Sequence, residues 1–77
     1  MNKERRKHLS EITDQLEALK ERLEVVRDGE QEAFDNLPEG IQGAENGQKM
    51  EEAVSSVESM IDSLEEVISQ AQELIAG

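Results

Sequence analysis

Apolar residues recur at helical spacing along most of the chain, and from Met50 onward they do so in an unbroken seven-residue repeat. Written in register, the stretch reads MEEAVSS, VESMIDS, LEEVISQ, AQELIAG, with an apolar residue at the first, fourth and fifth place of every block. In heptad letters, position d holds Met50, Val57, Leu64 and Ala71, and position a holds Val54, Ile61, Ile68 and Ile75. Position g holds Ala53, Met60, Val67 and Leu74. This period predicts an α-helix with one broad apolar face. A two-stranded seam uses only a and d. The third row therefore calls for a second neighbour.

The first half keeps the period with a narrower stripe. Leu9, Leu16, Leu23 and Leu37 fall at a, and Ile12, Leu19, Val26 and Ala33 at d. The pattern weakens at Gly29 and Glu30, and glycine in a helix interior costs ~1 kcal/mol relative to alanine. A first helical region is thus expected over about residues 2–35, with a kink or break near Gly29, between Asp28 and Glu30. Residues 36–46 then read as a loop. Pro38 disfavours helical geometry at Leu37, Gly40, Gly43 and Gly47 supply turn conformations, and Asn46 caps the helix that follows. The second helix is expected over about residues 47–76. Two helices of matched length joined by one loop predict a single all-α domain. Its form is an antiparallel helix–loop–helix hairpin with coiled-coil-like packing.

Charge agrees with that reversal. Folding about Ile41 sets Arg27 between Glu51 and Glu58, and Lys20 between Glu58 and Glu65. Exposed pairs of this kind contribute only ~0.2–1 kcal/mol each, so they select register more than they stabilise. The opposite flank of the first helix offers His8, Gln15, Arg22 and Gly29. None of these suits the apolar row of Ala53, Met60, Val67 and Leu74. A second copy of the second helix would cover it, which predicts self-association through those four residues into a homodimeric four-helix bundle. A different helical partner would supply the same cover.

Composition narrows the remaining choices. At 77 residues, with 35% apolar positions and Phe34 the sole aromatic, the chain cannot enclose a large core by itself. It has no cysteine and one histidine, His8, so disulfides, thiolate metal sites and histidine-based sites drop out, and no cofactor is expected. The formal charge of −11 is lopsided: residues 1–27 carry seven Lys/Arg against six acids, and residues 28–77 carry Lys49 against thirteen. Such a surface repels nucleic-acid backbones and anionic membranes. The basic start around Lys3, Arg5, Arg6 and Lys7 reads as a solvated helix end. No apolar run approaches the ~20 residues of a membrane span, and none of signal-peptide length follows the basic start, which points to the cytoplasm of a host cell.

The chemistry-bearing residues point away from catalysis. The carboxylate pairs Glu51–Glu52 and Glu65–Glu66 fall on the outward part of a helix, whereas acid–base catalysis needs a walled pocket. No nucleophile–base constellation can be assembled, and the loop glycines lack a phosphate-binding spacing. The carboxylates Glu58, Asp62, Glu65 and Glu66 form a long acidic face. It would serve solubility, or would imitate a phosphate backbone toward a DNA- or RNA-binding enzyme. Phe34, Leu37 and Ile41 cluster around Pro38. They either plug the loop end of the bundle or anchor a partner protein.

The basic MNKERRKHL start, the loop FDNLPEGIQGAENGQKMEEA and the acidic heptads together resemble a group of very small helical proteins encoded by phages and prophages of Gram-positive bacteria. The resemblance implies a non-catalytic accessory protein that binds and sequesters or inhibits a host protein, components of antiviral defence included. A structural coiled-coil component of an assembly and an acidic nucleic-acid mimic are the alternatives. Both acidic helix faces and the Phe34–Ile41 loop are then candidate contact surfaces.

Overall fold

The computed structural model describes residues 1–77 and contains helices but no strand: α1 (Lys3–Asp35), α2 (Glu39–Gln42) and α3 (Glu45–Ala76). Asn2 starts α1 by capping it, its side-chain oxygen accepting a hydrogen bond from the Arg5 amide at 2.8 Å. The helix then runs through Gly29 without the break its composition allowed. Helical hydrogen bonds on both sides of one glycine outweigh its ~1 kcal/mol entropic cost. Nothing lies within 4 Å of where a Gly29 side chain would project. Gly29→Ala should therefore stabilise the protein by about 0.5–1 kcal/mol, raising the melting temperature by several degrees in a calorimetric scan. An unchanged or lower melting temperature would show that the helix is distorted at this point.

Residues 36–44 reverse the chain through α2. Its turn is closed by the Ile41 and Gln42 amides donating to the Pro38 carbonyl at 2.8 and 3.1 Å. Two expectations for this segment are corrected. Of the three glycines expected to turn the chain, Gly43 does so at the end of α2 with φ −83° and ψ −4°, whereas Gly40 and Gly47 lie within helices; the sole positive φ in the chain is that of Gly77, at 82°, which caps α3. And α3 begins two residues before the predicted boundary, at Glu45 with Ala44 as its N-cap, so Asn46 lies inside the helix instead of capping it. Gly47 is buried in the first turns of α3, where a Cβ would overlap the backbone carbonyl of Gln42. Its service is close approach, not a turn. Gln42 in turn donates its side-chain amide to the carbonyls of Phe34 and Leu37, both at 3.2 Å, and so ties the end of α1 to the connection.

α1 and α3 lie side by side and run in opposite directions. Arg6, near the start of α1, places its guanidinium against Gly77 at the end of α3, and Lys20 bridges to Glu65 at 3.7 Å. The last turn of α3 has no basic residue of its own, so Arg6 supplies the positive charge that a helix C-terminus favours. The basic start is therefore not merely a solvated end. The molecule is a rod of 58 × 14 × 13 Å, one helix pair thick. Such a shape has a seam and no interior. Val54, Ile61, Ile68 and Ala71 are buried, all from α3, and no side chain is wholly enclosed.

The α1 side of the seam differs from the sequence reading. Leu9, Leu16 and Leu23 face α3, half-buried, as row a should. Their companions are the residues one place beyond d: Thr13, Lys20, Arg27 and Phe34, all buried or half-buried. Thr13 satisfies its hydroxyl on the Leu9 carbonyl at 2.9 Å. The predicted d residues Ile12, Leu19 and Val26 are turned outward. The physical reason lies across the seam, where the long stems of Lys20 and Arg27 can cover apolar surface while their heads reach toward α3 carboxylates. Lys20 does so with Glu65. Arg27 instead bonds Asp28 of its own helix at 3.1 Å. Its guanidinium is held further above its ordinary value, first by that hydrogen bond and then by the charges of Asp28, Glu24 and, across the seam, Glu58.

Candidate functional site

Rotation of α1 creates a surface that the separate helices do not have. Ile12, Leu19 and Val26 on α1, and Met60, Val67 and Leu74 on α3, are each 46–56% exposed. They lie on one side of the rod. Leu19 and Val26 line a shallow groove of about 400 Å³ together with Arg22, Leu23 and, from α3, Leu64. Met60 and Val67 are the i−4 and i+3 neighbours of Leu64, displaced away from Glu65 at 100° per residue. The Lys20–Glu65 pair thus marks one flank of the seam, and the six apolar residues mark the other. Taking the register from that pair, Ile12 is level with Leu74, Leu19 with Val67, and Val26 with Met60. These are three rungs of a ladder.

Charge sets this face apart. The rows that begin at His8 and Ile12 on α1, and at Ala53 and Ser56 on α3, repeat every seven residues and contain no Asp or Glu. The chain has 19 such residues, so their absence from one whole side of a highly acidic rod keeps it free of charge repulsion. Extended along both helices, these rows hold only basic charges, Arg5 and Arg22 on α1 and Lys49 on α3, and the nearest carboxylates, such as Glu11 and Glu32 on α1 and Glu66 and Glu73 on α3, stand in the adjoining rows.

The residues singled out from sequence separate into three places. Met60, Val67 and Leu74 are exposed on the apolar face, and Ala53 is half-buried beside them. Glu58, Asp62, Glu65 and Glu66 are all exposed on α3, away from that face, with Glu65 engaged by Lys20. Phe34 and Leu37 are half-buried at the loop end, where their carbonyls hold Gln42, and Ile41 is about half exposed on α2. The structure does not bring the acidic and loop groups together. Ile12, Leu19 and Val26 were assigned to the seam and so were missed as surface residues. The carboxylate-free rows on both helices were the signal that could have found them.

No three His, Asp or Glu side chains converge on a position that could hold a metal ion. No helix is long and apolar enough to cross a membrane. No protein-family model, curated protein or solved structure matches the chain.

Proposed function

We propose that the chain is a non-catalytic protein-binding module that works through the apolar face of the α1–α3 pair. The observation that carries this reading is the three-rung ladder of half-exposed side chains on the one side of the rod that bears no carboxylate. A helix pair of this kind is half of a bundle, and its open side can accept further helices packed side by side with it. The protein it meets in the cell is, on this reading, a host protein that a phage or prophage accessory factor occludes or sequesters. The acidic faces keep the complex soluble and exclude polyanions.

The test uses tagged wild-type protein as bait in a lysate of a Gram-positive host, alongside three variants. Leu19→Asp with Val67→Glu should abolish capture of the proteins that wild type retains. Replacement of Glu58, Asp62, Glu65 and Glu66 by glutamine should leave capture intact. Phe34→Ala with Ile41→Asp should have a smaller effect than the face variant. Loss of capture in the glutamine variant alone would overturn this reading in favour of phosphate mimicry. Loss in the loop variant alone would move the binding surface to the rod's end.

A further inference from the structure

The apolar face has a size, a charge pattern and a polarity along the rod that together specify one occupant. Six half-exposed large side chains offer on the order of 500 Å² of apolar surface per copy, so two such faces in contact approach the ~1,000 Å² that a specific interface requires. A chain of charge −11 would ordinarily repel its own kind. Here the carboxylates all lie off the face, and two copies meeting face to face keep them in water. The rod is also electrically polar. At one end, residues 1–8 carry Lys3, Arg5, Arg6 and Lys7 against Glu4, with Glu73 nearby on α3. At the loop end, residues 28–52 carry eight carboxylates against Lys49.

We propose that this face is closed by a second copy of the chain, docked about a two-fold axis perpendicular to the rod at the level of Leu19 and Val67, so that the basic end of each copy lies over the acidic loop end of the other. The inference rests on the protein-binding reading above: in the free protein the face closes on a second copy, and a host protein competes with that copy for it. A two-fold axis along the rod would bury the same side chains, but it would stack the two acidic loop ends upon each other. Charge complementarity therefore selects the crossed arrangement. It also packs Leu19 and Val67 of each copy at the centre, where interface residues carry most of the binding energy. All neighbouring helices in the resulting four-helix bundle are antiparallel. The self-association row expected from sequence, Ala53 to Leu74, is one half of this interface, and Ile12, Leu19 and Val26 are the other.

Sedimentation equilibrium on the full chain should give twice the 8.6 kDa protomer mass. Leu19→Asp with Val67→Glu should weaken association by at least about 100-fold, as expected for two central contacts. Circular dichroism of the variant should remain helical. Because the chain has no cysteine, His8→Cys supplies a unique site for a nitroxide label. Dipolar electron resonance should place the two labels about 30 Å apart, the rise of the ~20 residues between His8 and its two-fold image. Labels within ~20 Å would establish the like-ends arrangement and overturn the crossed one. A monomeric wild type would overturn self-association altogether. If the face variant then still lost its captured host protein, the protein-binding reading would stand without the dimer; if capture were also unchanged, both would fall.

Discussion

Ile61→Ala is expected to remove about 2–4 kcal/mol of stability, a large fraction of the ~4–12 kcal/mol that a chain of this length possesses. Ile61 is 5% exposed, in the middle of the only continuous buried strip in the molecule. Its loss subtracts the transfer energy of the missing carbons, and it leaves a gap between two long helices that cannot collapse without bending both. The control is Val67→Ala one turn and a half away. Val67 is about half exposed in the single chain, so truncating it should cost a dilute monomer well under 1 kcal/mol. Urea titrations followed by circular dichroism at low protein concentration distinguish the two. Similar midpoints for both variants would mean that the seam assigned to Val54, Ile61 and Ile68 does not hold the helices together.

Gly47→Ala should destabilise by about 1–3 kcal/mol, the opposite sign to the same substitution at Gly29. Both glycines are helical, and both gain the usual ~1 kcal/mol of helix propensity on becoming alanine. At Gly47 the new methyl meets the carbonyl, carbonyl carbon and Cα of Gln42, which are backbone atoms and cannot swing aside. The connection must move. That movement breaks the two hydrogen bonds from the Gln42 side chain to Phe34 and Leu37, each worth ~0.5–1.5 kcal/mol. Thermal unfolding should register the loss as a drop of several degrees or more in a chain of this size. A Gly47→Ala protein as stable as wild type would show that α2 and α3 have room between them, and would remove the steric account of this turn.

The two glycines also show what a linear pattern conveys. Their local sequences, Asp28-Gly29-Glu30 and Asn46-Gly47-Gln48, suggested a break at the first and a turn at the second. In the structure both lie within continuous helix, and the difference between them is the distance to a chain segment that only folding brings near. Asn46 failed as a cap for a related reason. Helix α3 gains another half turn by starting at Glu45, where Gln48 can donate its side-chain amide to the Gly43 carbonyl at 3.2 Å. Gln42 could not have been recognised from sequence, because its two acceptors lie at and just beyond the end of α1, where their positions depend on the turn itself.

The helical period, the reversal around Pro38 and the broad apolar face of the second long helix were all legible in the linear chain. These follow from local rules: side chains spaced three and four apart share a face, and proline disfavours helical geometry in the residue before it. The apolar rows of α3 were legible because three of them lie side by side, and any partner must meet their middle. For α1 the choice was open. Row d lies about 60° to one side of Leu9, Leu16 and Leu23, and the row of Thr13, Lys20, Arg27 and Phe34 lies about 40° to the other. Hydrophobicity favours the first and the carboxylates of α3 favour the second, so the rotation of α1 depends on what the facing helix presents. In the folded pair the second row faces α3, and that rotation alone moves Ile12, Leu19 and Val26 from the seam to the surface. A one-dimensional repeat records which residues share a side of a helix; which side is left open is settled only when two helices compete for the same contact.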